Sequence, residues 1–127
     1  VDARVIGKMT VFKGMGCGCC TVYGDYVRSQ GIDAAAENVE DIQAIKDELG
    51  VPATLQSCHT SKVGEYFVEG HVPLQAIEKL MRERPDIKGI ALPGMPSGTP
   101  GMPGPKKGEW IIYAIEKDGS TREFLRI

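Results

Sequence analysis

Three of the four cysteines in this 127-residue chain fall within Cys17-Gly18-Cys19-Cys20, and the fourth is Cys58. A disulfide scaffold needs cysteines dispersed along the chain, so strands and helices around a hydrophobic core must hold this one. The length permits that, since a chain of this size buries about two-thirds of its unfolded surface. Hydrophobic residues at 42% and charged residues at 25% are ordinary globular usage. We therefore read residues 1–127 as a single domain. Lys+Arg at 15 against Asp+Glu at 17 leaves no basic excess for nucleic acid or an anionic membrane. No apolar run is long enough to insert into a bilayer. Val1 at the start fits a processed or trimmed terminus, so a targeting segment could have been removed.

The cysteine cluster sits between two recognisable elements. Arg4 to Lys13 is rich in Val, Ile, Met, Thr and Phe and reads as a strand. After the glycine-rich turn, Val22 with Tyr26 and Tyr23 with Val27 form i,i+4 pairs, a helix that Gly31 stops. Asp33 to Val39 reads as a short strand. Ile42, Ile45 and Leu49 mark an amphipathic helix ending at Gly50. Ala53 to Gln56 and Tyr66 to Glu69 are two further strand candidates. Pro73 opens a helix whose apolar face is Leu74, Ile77, Leu80 and Met81, and Pro85 ends it. Residues 89–109 change composition to Gly, Pro and Met and are read as a long loop over the domain. Residues 110–127 flank Asp118-Gly119 and read as a C-terminal β-hairpin.

The resulting β-α-β-α-β-β-α core, with its C-terminal loop and hairpin, is an α/β layout that resembles the thioredoxin-like fold of glutaredoxins. Cys17 and Cys20 form a Cys-x-x-Cys after the first strand, and Val51-Pro52 precedes the third. The resemblance implies a cis Pro52 facing the cysteines.

A thiolate at a helix N-terminus meets unpaired N–H groups and the positive end of the dipole, so it is available as nucleophile or metal ligand. Cys17 and Cys20, three apart, lie on one side of the helix start. Cys19 adds a third sulfur, which coordination explains better than a two-sulfur redox couple does. Thiolate-rich sites select Cu(I), Zn(II) or iron–sulfur clusters. One Cu(I) on four thiolates carries about −3, costly to bury, whereas several Cu(I) ions sharing bridging thiolates approach neutrality. Zn(II) on the same four carries about −2 and needs wide tetrahedral angles from a tight turn. Copper is favoured over zinc.

A more specific resemblance rests on five motifs in order. They are Cys17-Gly18-Cys19-Cys20; Gly50-Val51-Pro52 with Leu55; Ser57-Cys58-His59-Thr60; Glu69-Gly70-His71-Val72-Pro73; and Leu92-Pro93-Gly94-Met95-Pro96 with Pro100-Gly101-Met102. Together, over about residues 8–110, they resemble the CopG family of small, thioredoxin-like, metal-binding proteins associated with bacterial copper resistance. Lys13-Gly14-Met15-Gly16 departs from the Ser-Pro-Thr-like segment expected there. The resemblance implies a periplasmic or exported home, a Cu(I)/Cu(II) role, and other copper-resistance proteins as partners.

The candidate metal ligands are Cys17, Cys19, Cys20, Cys58 and His59. Cys58 alone also reads as a small buried hydrophobe. His59 reads as a Cu(II) ligand or proton shuttle, or as a loop histidine bonded to backbone. For His71, helix entry and metal binding stand level. Met15, Met95 and Met102 are thioethers suited to Cu(I), though packing on the core is the commoner use of methionine. Met9, Met81 and Trp110 read as core. Three functions remain open: a copper-binding protein of resistance or homeostasis that interconverts Cu(I) and Cu(II); a thiol–disulfide oxidoreductase using Cys17 and Cys20; and a copper chaperone or storage module. No catalytic residue is assigned.

Overall fold

The computed structural model describes residues 2–14, 18–93, 96–100, 102 and 104–127, with the side chains of 18–20 outside that description. It is a mixed α/β structure with a seven-stranded sheet ordered β2-β1-β3-β4-β5-β6-β7. The strands are β1 Lys8–Gly14, β2 Asp33–Val39, β3 His59–Val63, β4 Tyr66–Glu69, β5 Ile87–Ala91, β6 Ile111–Glu116 and β7 Thr121–Arg126. The helices are α1 Ala3–Ile6, α2 Gly18–Ser29, α3 Ile42–Leu49 and α4 Leu74–Glu83. No helix among the described residues is long and apolar enough to cross a membrane.

Local chemistry explains where elements begin. The Asp2 carboxylate accepts the Arg4 N–H at 3.0 Å and draws residues 3–6 into a helical turn, so the first strand starts at Lys8 and not at Arg4. In α2, Tyr23 and Val27 are buried while Val22 and Tyr26 face outward. Asp41 caps α3 through the Ala44 N–H, and Gly50 closes it in the left-handed region.

Residues 53–55 form a 3-10 turn and not the expected strand. The Leu55 N–H donates to the Pro52 carbonyl at 3.0 Å and the Gln56 side-chain amide to that of Val51 at 3.2 Å, closing the chain on itself before it can pair. The cis Pro52 expectation is overturned too. No cis peptide bond occurs among the described residues, and Pro52, at φ −61°, caps that turn. The third strand begins later, at His59. Residues 89–91 also leave the expected loop, completing β5, which pairs parallel to β4 and antiparallel to β6.

Alternation along the strands sorts the core onto two faces. Met9, Val11, Val63, Val68, Ile90 and Ile112 pack with Tyr23 and Val27 of α2 and Leu74, Ile77 and Leu80 of α4. On the other face Phe67, Ala91 and Ile115 pack with Val51, beside Leu49 of α3. β1 and β3 are antiparallel, with Lys13 opposite His59. The end of β1, which leads into the cysteine cluster, therefore lies beside the start of β3.

Candidate metal centre

Cys58 and His59 stand where the chain enters β3, and His71 stands where it leaves β4. The Gly70 N–H donates to the His59 carbonyl at 3.0 Å, extending the ladder as far as that corner. Gly70 has φ +83°, and a Cβ there would lie 2.7 Å from the Leu92 carbonyl oxygen and 2.9 Å from the Ser57 Cβ. Only glycine permits that approach, which brings His71 back to Cys58. The Cys58 Sγ is 3.2 Å from His59 Nδ1 and 3.1 Å from His71 Nε2. One ligand atom from each of the three residues falls within 4.8 Å of the others.

Tyr23 of α2 fixes both rings. Its ring centroid lies 4.7 Å from that of His59 and 5.4 Å from that of His71, and the two imidazoles meet edge to face at 4.9 Å. Its hydroxyl donates to the Val72 carbonyl at 2.8 Å.

The hydrogen bonds decide the tautomer of His71. The Pro100 carbonyl only accepts, so His71 Nδ1 carries the hydrogen and donates it at 2.6 Å. In the neutral ring Nε2 then turns a lone pair toward Cys58. Burial keeps both rings neutral. It pushes His59 down to about 3, helped by His71 and Lys46 and opposed by the Gly70 backbone. It also lowers His71, against the Pro100 carbonyl.

His59 Nε2 is buried without a hydrogen-bond partner among the described residues. Whichever His59 nitrogen bears the hydrogen, one ring atom is therefore left unsatisfied. One thiol proton faces two ring nitrogens, whereas a cation would be bound by the thiolate and both imidazoles together. The separations of 3.1 and 3.2 Å are a few tenths of an ångström short of those around an ion with bonds of about 2.0–2.3 Å. The soft thiolate with two neutral imidazoles is a donor set that fits copper or zinc.

A second buried polar group lies behind the site. Thr60 and Glu69 pair across β3 and β4 on the α3 side of the sheet. There Lys46 forms an ion pair with Glu69, the two side chains 4% and 0% exposed. Lys46 Nζ also donates to the Thr60 hydroxyl at 3.1 Å, and that hydroxyl donates to Glu69. Burial raises the Glu69 carboxyl, with Lys46 and the Ser57 and Thr60 hydrogen bonds working against it.

Of the residues marked in the sequence, Cys58 and His59 lie together with His71. Cys17, Met15 and Met95 fall outside the described residues. Cys19 and Cys20 are in the first turn of α2, one turn ahead of Tyr23, with their side chains outside the description. Met102 is half-buried and its N–H donates to Thr99 at 2.9 Å; Trp110 is buried. Tyr23 and Lys46 carry no functional signal in the sequence, and Glu69 enters only as the first residue of the Glu69-Gly70-His71-Val72-Pro73 motif. A lysine on the apolar side of α3, in step with Ile42 and Leu49, is the one trace of the buried pair.

Residues 55–102 match a family described as "Protein of unknown function, DUF411". No curated protein matches the chain. Two solved structures of a copper resistance protein CopG match almost end to end. Form 1 has a TM-score of 0.87 at 35% identity, covering 95% of this chain and 97% of that one. Form 2 has a TM-score of 0.87 at 36% identity, covering 94% and 97%.

Proposed function

This chain belongs to the CopG family of copper resistance proteins, and on that premise we propose that it is a copper-binding protein of copper resistance, its metal held on Cys17, Cys19, Cys20, Cys58, His59 and His71. The observation that carries this reading is the convergence of the Cys58 sulfur with two neutral, buried imidazoles. A thioredoxin-like core agrees with the strand order β2-β1-β3-β4, in which the entry to the Cys-x-Cys-Cys turn lies beside Cys58. Four thiolates suit one or more Cu(I) ions, as a multinuclear copper–thiolate cluster, better than zinc. The two imidazoles suit Cu(II), so the mixed donor set favours interconversion of the two states in a periplasmic protein.

Copper would supply one-electron chemistry there. The protein's own part is positional. His71 presents Nε2 because the Pro100 carbonyl holds the hydrogen on Nδ1. Tyr23 packs against both rings and, with its phenol pushed well up by burial, stays a hydroxyl donor to Val72. The two buried imidazoles, held in this way, offer donors of fixed orientation.

The test is anaerobic titration with Cu(I). Stoichiometry should collapse in Cys19→Ser and in Cys58→Ser, and unchanged uptake in both would reject the site. Thiol–disulfide exchange through Cys17 and Cys20 gives the two histidines no task. Turnover of a disulfide substrate under strict metal exclusion would favour that reading instead.

A further inference from the structure

Burying Lys46 against Glu69 is not accounted for by stability, because apolar residues of similar volume usually do as well or better in such a place. The other contacts of Glu69 suggest what the pair is for. One carboxylate oxygen accepts the Ser57 N–H at 2.8 Å and the other accepts the Thr60 hydroxyl. Ser57 immediately precedes Cys58, and Thr60 immediately follows His59. A single carboxylate thus grips the chain on both sides of the Cys58-His59 pair, from the face of the sheet opposite the imidazoles. Lys46 holds that carboxylate in place and steadies Thr60 as well.

We propose that Lys46 and Glu69 are positioning residues of the metal centre, tethering Ser57 and Thr60 so that Cys58 and His59 are aligned before any metal arrives. The proposal rests on the reading of Cys58 as a ligand, but its geometric content concerns the metal-free protein. Groups of this kind around a metal commonly change affinity by about 10–100-fold when removed.

The experiment separates the hydrogen-bond acceptor from the charge. Lys46→Leu/Glu69→Gln removes the ion pair and keeps an oxygen for the Ser57 N–H. Lys46→Leu/Glu69→Leu removes both, and neither pair of substitutions adds a sulfur donor. In a Cys17→Ser/Cys19→Ser/Cys20→Ser background, Cys58 is the remaining thiol, and its alkylation by iodoacetamide is followed without metal. The Gln variant, which loses Lys46 but keeps the acceptor, should react up to about twofold faster than the background. The Leu variant should react about fivefold faster, what one lost hydrogen bond amounts to. With the cysteines restored, competition with a Cu(I) chelator should show about tenfold or greater weakening for the Leu variant and a smaller loss for the Gln variant.

Equal alkylation rates in the two variants at matched helical content overturn the proposal. If the Leu variant does not fold, the unsubstituted metal-free protein decides. Its Ser57 amide should exchange about 100-fold or more slowly than an open loop amide, and loop-like exchange overturns the proposal. Protected Ser57 and the expected thiol rates without copper uptake would sink the copper reading and leave the tether standing.

Discussion

With its Nδ1–H given to the Pro100 carbonyl, the neutral His71 ring can coordinate only through Nε2. His71→Ala should therefore weaken copper binding by about tenfold or more, read by chelator competition. The buried rings also set the acid response of the metal-free protein. The folded value of His59, about 3, lies below its ordinary 6.5. Between those values the unfolded chain takes up a proton that the fold refuses. The stability contributed is complete above pH 6.5 and declines by about 1.4 kcal/mol per pH unit as pH falls toward 3. His71 acts in the same sense, and Glu69, shifted upward, acts in the opposite one. Urea unfolding in the presence of a chelator, repeated across that range for the protein and for Glu69→Gln, should show the decline, and a flat profile in the Gln variant would mean that the rings gain protons in the fold as they do in the unfolded chain. Lys46→Met alone leaves Glu69 buried without its cation and should cost about 3–5 kcal/mol in the same assay.

Among the elements, β5 shows how close approach replaces propensity. A Cβ on Gly89 would lie 2.3 Å from the Phe67 carbonyl oxygen and 2.7 Å from its ring, so the parallel pairing of β4 with β5 requires glycine there. Gly89→Ala should destabilise the protein by about 1–3 kcal/mol, the usual cost of overpacking. Amide exchange should quicken first in β4 and β5. This strand also shows where sequence reading stops. Asp33–Val39 and Tyr66–Glu69 are legible because short β-rich or small-residue runs sit between clear turn residues, and the hairpin because Asp118-Gly119 punctuates it. Ile87–Ala91 hides because a central glycine and a preceding proline mimic loop composition. Residues 53–56 mislead in the reverse direction, a short run closed into a turn by one backbone bond and the Gln56 side chain, which composition does not encode. At the site, the sequence singles out Cys58 and His59 by adjacency. It cannot rank His71 with them, because that neighbour is created by the Gly70 corner. Nor can it show that Lys46, a charge, points inward.

For the molecule as a whole, the sheet brings β1, β3 and β4 together at one end, so the proposed metal centre draws on α2 from one face and α3 from the other. Binding there acts on the folded state alone. Copper loading at a hundredfold excess over Kd should add about 3 kcal/mol, a rise in Tm on the order of 10 °C. Calorimetry before and after chelation should show the rise and its reversal. The bond from His71 to Pro100 has a further consequence. It ties the Gly/Pro/Met loop to the proposed coordination site, so that site is not portable. An engineer grafting the two histidines and Cys58 onto another sheet would have to carry that stretch of chain along, or the second imidazole would arrive in the wrong tautomer.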